Sequence, residues 1–279
     1  MNNLKNIPII GIDRGASFTD FGVVVSNQLI DAVSVKKRDW DSIFPIYERL
    51  IGKYQTDLLV FTGSVSDMPA DLEKRIQVIP EIDSVGFGGS TLADCNECIV
   101  VSFGTGSAIV HFVDNHSKHV GGTGIGGGTI QGLSSLMCGI ENPEVVETQA
   151  LKGNASHLNL TISDLGYERI SFLGSDVTAS NFASVQSKRI EDLAAAILTL
   201  VAETVGIISS ICAREAGCVD KIVVVGKVAQ NQFIRHILNL VGKLYQTTFI
   251  FPDKPGFATV YGAAMKYQYD LLNPDKKNV

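Results

Sequence analysis

The sequence predicts a two-lobed α/β protein with a glycine-lined cleft. Three observations lead to this: apolar runs that end in glycine turns recur along the chain, helical stretches lie between them, and the composition supplies a large core. The first run, 7–12, breaks at Asp13-Arg14-Gly15-Ala16-Ser17 and resumes at 21–25. This reads as strand, tight turn, strand. The second repeats the idea, with 99–103, the turn Gly104-Thr105-Gly106-Ser107 and the return strand 108–113. A third strand-plus-glycine unit is 221–226. The duplicated hairpin implies a duplicated architecture, with one turn from each lobe facing a common cleft.

Helical periodicity supplies the rest. Trp40–Tyr54 places Ile43, Ile46, Tyr47, Leu50 and Ile51 at helical spacing. The stretch 189–214 has a continuous apolar stripe, and Gly217 follows as a stop signal. A further helix is expected over Gln232–Tyr245, and 58–62 reads as a buried strand.

Composition narrows the function classes. The 279-residue chain is 45% hydrophobic and 19% charged, the opposite of a disordered composition. Its net charge of -6, without a long basic run, argues against nucleic acid or an anionic membrane as main partner. No apolar run approaches the roughly 18 residues of a membrane span. The start, MNNLKNIPII, lacks a signal-peptide pattern. Cysteines are scattered at 95, 98, 138, 212 and 218, as expected in a reducing cytoplasm. Cys95 and Cys98 form a single CxxC without a second ligand pair, so they read as small residues entering a strand.

Glycine turns after strands suit phosphate, because the absent side chain lets the backbone approach and aim N–H groups at it. The longest such stretch runs from His119 to Thr129 and precedes an apolar helix start at 130–136. A helix N-terminus adds donors and a favourable dipole for an anion. Neither the Rossmann nor the Walker pattern fits. Asp13 either caps its own turn or holds Mg²⁺ beside phosphates. Glu81, after Pro80, is either a solvent-facing carboxylate at a helix start or a general base. Spacing leaves both pairs of readings open.

These segments, in this order, resemble the type II pantothenate kinases of the acetate kinase/sugar kinase/Hsp70/actin superfamily. The family's Asp-x-Gly-Gly-Thr turn corresponds to Asp13-Arg14-Gly15-Ala16-Ser17, and its Glu-hydrophobic-Asp motif to Glu81-Ile82-Asp83. Gly104-Thr105-Gly106, the run Gly121 to Gly128, the stretch Gly174 to Phe182 and Tyr261-Gly262-Ala263-Ala264 follow in register.

The resemblance implies a duplicated actin-like (ribonuclease H-like) α/β fold. Residues 1–97 would carry the first hairpin and the catalytic Glu81. Residues 98–279 would carry the second hairpin, the glycine-rich loop and a dimer helix. It implies ATP and Mg²⁺ as cofactors, pantothenate or a similar small molecule as substrate, and a homodimer. Asp13 would meet the metal, and Asp13, Gly15 and Ser17 the phosphates. Thr105 and Gly106 would touch phosphate at the second hairpin, with Thr105 also near substrate. Gly127, Gly128 and Thr129 would meet the nucleotide, and Gly226 would lie near the adenosine.

Two positions depart from the family pattern. Asp20 stands where the family usually has lysine, and His119 where it has an arginine for the substrate carboxylate. Histidine lacks the bidentate fork of arginine. Two alternatives therefore stand beside the pantothenate reading: a kinase for another small hydroxylated molecule, and a catalytically impaired nucleotide-binding regulatory protein.

Overall fold

The computed structural model describes residues 6–36 and 39–274. The extreme N-terminus and the polar tail beyond residue 274 lie outside the described residues. In the first half, β1 (Ile9–Arg14), β2 (Thr19–Val25) and β3 (Gln28–Val35) form a meander. Helix α1 (Trp40–Tyr54) then leads to β4 (Leu59–Gly63), the short helix α2 (Ala70–Glu73) and β5 (Ile76–Val78). Helix α3 (Glu81–Leu92) connects to a second meander, β6 (Glu97–Phe103), β7 (Ser107–Val113) and β8 (His116–Thr123). Helices α4 (Gly127–Cys138) and α5 (Pro143–Ala150) follow. Short strands β9 (Leu160–Thr161), β10 (Arg169–Ile170), β11 (Leu173–Gly174) and β12 (Thr178–Ser180) precede the long helix α6 (Ile190–Ala216). The chain ends through β13 (Ile222–Val225), α7 (Gln232–Tyr245), β14 (Phe249–Ile250) and α8 (Ala258–Leu272).

The expected duplication is present in the sheets. The first is ordered β3-β2-β1-β4-β5 and the second β8-β7-β6-β13-β14. In each, an antiparallel meander is extended by two parallel strands.

Alternation along the strands stacks the layers. Ile10 and Ile12 of β1 face α1, together with Phe21, Ile43, Tyr47, Leu50 and Phe61. Ile9 points the other way, onto Tyr261, Ala263 and Ala264 of α8. The second sheet buries Cys98, Val100, Val223 and Val225 against Val85 and Phe87 of α3 and Ala258 of α8. Its opposite face packs on α6 and α7 through Ile99, Val101, Leu198, Val201 and Leu238. Helices α3 and α8 thus lie between the sheets, and α8, from the end of the chain, covers the sheet at its beginning. Each large apolar side chain buried this way contributes about 1.5–3 kcal/mol.

Several boundaries differ from the sequence expectation. Arg14 joins Asp13 as a strand residue instead of opening the turn, because β1 keeps pairing with β2 through Asp13↔Asp20 and Arg14↔Thr19. The opening of the long glycine run, 119–123, is β8 rather than a turn, held by pairing to β7. Helix α4 begins at Gly127, three residues before the expected start. Helix α3 begins at Glu81, the helix start that one reading of that residue offered, and it continues although Gly86, Gly88 and Gly89 each weaken a helix by about 1 kcal/mol relative to Ala. Packing explains the glycines where α3 meets α8. A Cβ on Gly88 would collide with the Ala258 carbonyl, and one on Gly262 with the Ser84 carbonyl. Helix α6 stops at Gly217, left-handed at φ 72°, as expected. Among the described residues it is the one helix long and apolar enough to cross a membrane, and most of that apolar stretch is buried in the second lobe.

Candidate active site

The same alternation that builds the core aims the charged groups. On β1, Ile9, Gly11 and Asp13 share the face toward α3 and α8, while Arg14 points to the α1 side. The Arg14 guanidinium donates to the Ser66 carbonyl at 2.5 Å and lies 4.9 Å from the Trp40 ring centroid. Of the two charged residues at the end of β1, Asp13 is therefore the one that reaches the space between the lobes. Gly63, at the end of β4 with φ +83°, leaves room for it, since a Cβ there would sit 3.0 Å from Asp13 Oδ1.

Asp13 keeps some surface on the cleft but is otherwise enclosed by protein. Burial, and after it the carboxylates of Asp20 and Glu81, push the Asp13 carboxyl up to about 8, while Lys227 pulls the other way. The structure thus brings Glu81, exposed in the first turn of α3, into electrostatic reach of Asp13. Asp83 is set apart. It faces Lys266 and Asp270 of α8 and Ser117 and His116 of β8, and burial is the main cause of its raised pKa.

The two hairpin turns meet. Ser17 and Thr105, 88 positions apart in sequence, are hydrogen-bonded through their hydroxyls at 2.9 Å. The third glycine segment braces the second turn from behind. Gly127 N–H donates to the Gly104 carbonyl at 2.7 Å, and Gly128 N–H to the Thr105 carbonyl at 2.8 Å. These two N–H groups are engaged within the protein. Thr129 closes the start of α4, its Oγ1 accepting from Gly126 N–H at 3.2 Å. A Cβ on Gly126 would lie 2.6 Å from the Gly106 carbonyl oxygen, so only glycine allows α4 to approach the hairpin this closely. The first turn of α4 carries no acidic side chain, and Gly124 opens onto free space. Gly226, at φ +91°, abuts the Phe103 backbone and so brings the turn after β13 beside the second hairpin.

This arrangement fits a nucleotide and a hard cation. Oxygen donors converge at Asp13, and glycine turns with a helix N-terminus suit phosphates. His119 is exposed on β8, with its Nε2 3.5 Å from the position of a Cβ on Gly122.

One residue of the cleft was missed in the sequence. Lys227, directly after Gly226, reaches from the second lobe to Asp20 at 2.6 and 2.8 Å. The cation expected on β2 is replaced by an acid, and a cation arrives from the opposite lobe. Its signal was a basic residue after the third strand-plus-glycine unit. A second missed group is Glu203 of α6, which accepts from Thr178 Oγ1 at 2.9 Å and Asn181 Nδ2 at 3.4 Å. Burial raises its pKa against those two hydrogen bonds. Far from the turns, Glu97, His111 and Cys218 offer ligand atoms within 4.8 Å of one another, but burial and the Glu97 charge raise the Cys218 pKa and disfavour the thiolate that binds metal. Cys98 points into the core, its thiol pushed up to about 12 mainly by burial.

Comparison with known proteins agrees with this fold. Among solved structures, the (R)-2-hydroxyglutaryl-CoA dehydratase component A of Acidaminococcus fermentans superposes with a TM-score of 0.68 at 15% identity, covering 95% of this chain and 99% of that one. The activator of the 2-hydroxyisocaproyl-CoA dehydratase from Clostridium difficile, with bound ADPNP, gives 0.62 at 17% identity, covering 98% of both chains. A ROK family glucokinase from Streptomyces griseus, in complex with glucose and AMPPNP, gives 0.55 at 14%, covering 92% and 98%. The fold is the actin-like one. In sequence, a type II pantothenate kinase of Bacillus anthracis is 30% identical over 268 residues, covering 92% of this chain and 96% of that protein. One from Bacillus cereus (strain ATCC 10987 / NRS 248) is 26% identical over the same shares. The Fumble family model matches residues 89–266. The chain with the two touching glycine hairpins belongs to the Fumble family, the type II pantothenate kinases.

Proposed function

We propose that this protein phosphorylates pantothenate to 4'-phosphopantothenate with ATP, the first step of coenzyme A biosynthesis. The observation that carries the reading is the convergence of Asp13, Glu81 and the two hairpin turns between the lobes. Glu81 takes the proton of the primary hydroxyl. That oxygen attacks the γ-phosphorus, and the bond to the ADP oxygen breaks. Mg²⁺, when bound beside Asp13, would neutralise charge on the transferring group. Gly15, Ser17, Thr105 and Gly106 hold the phosphates. Gly127, Gly128 and Thr129 support the second hairpin that lies against the nucleotide, and Gly226 gives the adenosine its approach. His119 reads the substrate carboxylate.

A small-molecule kinase of this kind acts in the cytoplasm without nucleic acid or membrane as partner. The exposed apolar side chains Leu136, Met137, Val145 and Leu151 on and after α4 and α5 support a homodimer. Helix α6 is mostly engaged inside its own lobe. His119 favours one second reading, a kinase for another small hydroxylated acceptor, because imidazole binds a carboxylate less specifically than guanidinium. A coupled ADP-release assay with ATP and Mg²⁺, offering pantothenate and a set of small alcohols, decides between them. Turnover with pantothenate is expected. Turnover with another alcohol and none with pantothenate overturns the substrate assignment.

A further inference from the structure

Asp13, Asp20 and Ser34 form one cross-strand row over β1, β2 and β3, through the pairings Asp13↔Asp20 and Asp20↔Ser34. Two carboxylates directly opposite each other repel, and Asp20 is only 7% exposed. The row is completed from the other lobe. Lys227 Nζ contacts both Asp20 carboxylate oxygens and Ser34 Oγ at 2.7 Å. Its ammonium also lies 4.4 Å from the centre of the Phe18 ring in the first hairpin turn and 5.8 Å from that of Phe257 at the start of α8. The backbone of Lys227 is fixed by the second lobe. It follows Gly226, which abuts Phe103, and precedes Val228, whose side chain would lie 3.1 Å from a Cβ on Gly127. The lysine thus stands where the three glycine segments come together, and its side chain keeps 30% of its surface.

A strut between lobes needs neither that exposure nor that place. The carboxylates of Asp13, Asp20 and Glu81 gather here with the Lys227 ammonium, and an incoming nucleotide adds further negative charge. We propose that Lys227 is a nucleotide-binding residue, its ammonium contacting the phosphates from the second lobe, and that Asp20 is the positioning residue that holds it over the cleft. The inference rests on the nucleotide reading of the cleft. The pair links phosphate binding to lobe closure, because the cation and its tether belong to different lobes.

The test is calorimetric binding of Mg-ATP, with thermal unfolding alongside, for the wild type, Lys227→Met and the double variant Asp20→Asn/Lys227→Met. The single variant leaves Asp20 buried without its cation and is expected to lower Tm. The double variant removes that unpaired charge and recovers Tm. Both variants are expected to bind Mg-ATP more weakly, on the order of tenfold or more, as for loss of a charge-assisted contact. The KM for the phosphoryl acceptor should not move. A double variant that binds Mg-ATP as tightly as the wild type overturns the proposal and reduces the pair to a strut, leaving the kinase reading intact. Wild-type protein that binds Mg-ATP but does not phosphorylate pantothenate overturns only the substrate assignment. Wild-type protein that binds no Mg-ATP overturns both.

Discussion

The two hairpins are built alike and furnished differently. Each joins the first two strands of a five-stranded sheet, and the sheets have the same order. The first is flanked by Asp13 and Asp20, directly opposite one another. At the same point, one pair before the turn closes, the second pairs Ser102 with Ala108 and carries no charge. Duplication therefore supplied the cradle twice, whereas the ionic chemistry sits in one copy. The second lobe answers with backbone, with hydroxyls and with Lys227. Twin scaffolds need not share the work equally.

The sharpest way to break this asymmetry is to remove the charged lobe's proton acceptor. Glu81→Gln should lower kcat by about 10²–10⁴-fold while Mg-ATP binding persists, read by ADP release and calorimetry. Full turnover in that variant would move the base elsewhere. The next largest effect concerns the helices shared by both lobes. Gly262→Ala puts a methyl group into the Ser84 carbonyl and should cost at least about 1–3 kcal/mol in chemical denaturation, since α3 and α8 must separate. A neutral result would mean that the helices slide apart freely.

The acidity of the first lobe has its own signature. The Asp13 pKa in the folded protein is raised to about 8, while the unfolded chain releases that proton near the ordinary carboxylate value of 3.8. The folded state therefore holds the extra proton, and this group's contribution to stability falls as pH rises from about 4 to about 8. Without metal, Tm should decline over that range, and Asp13→Asn should flatten the decline. Added Mg²⁺ should raise Tm more at pH 8.5 than at pH 6, and an equal shift at both would argue that Asp13 does not meet the ion. The smallest effect is expected where the lobes touch through neutral groups. Ser17→Ala removes an exposed hydroxyl pair and should cost about 0.5–1.5 kcal/mol or less.

The sequence made some of this visible and hid the rest for physical reasons. The hairpins were readable because a glycine cluster that interrupts two apolar runs forces the chain to turn. Helix α6 and its stop were readable because its stripe is long and Gly217 ends it. Beyond its start at Glu81, helix α3 was hidden by its own glycines: Gly88 makes room for α8, and Gly86 and Gly89 make room for Ser117 and Val100 of the second sheet. The 119–123 stretch looked like a loop, yet pairing with β7 makes it an edge strand. Asp20 looked like a loss of charge complementarity when read alone. Its meaning lies in Lys227, 207 positions later, and no local pattern connects the two.

Helix α8 also has a consequence for the order of events during synthesis. The face of the first sheet that carries Ile9, Val24 and Val60 is covered by Tyr261, Ala263 and Ala264. While the ribosome is still making the second lobe, that apolar face has no cover and is open to misassociation. The first part of the chain to emerge is thus among the last to be finished. A ribosome-stalled chain ending before residue 258 should therefore remain protease-sensitive in its first lobe and engage chaperones, and release of the helix should end both.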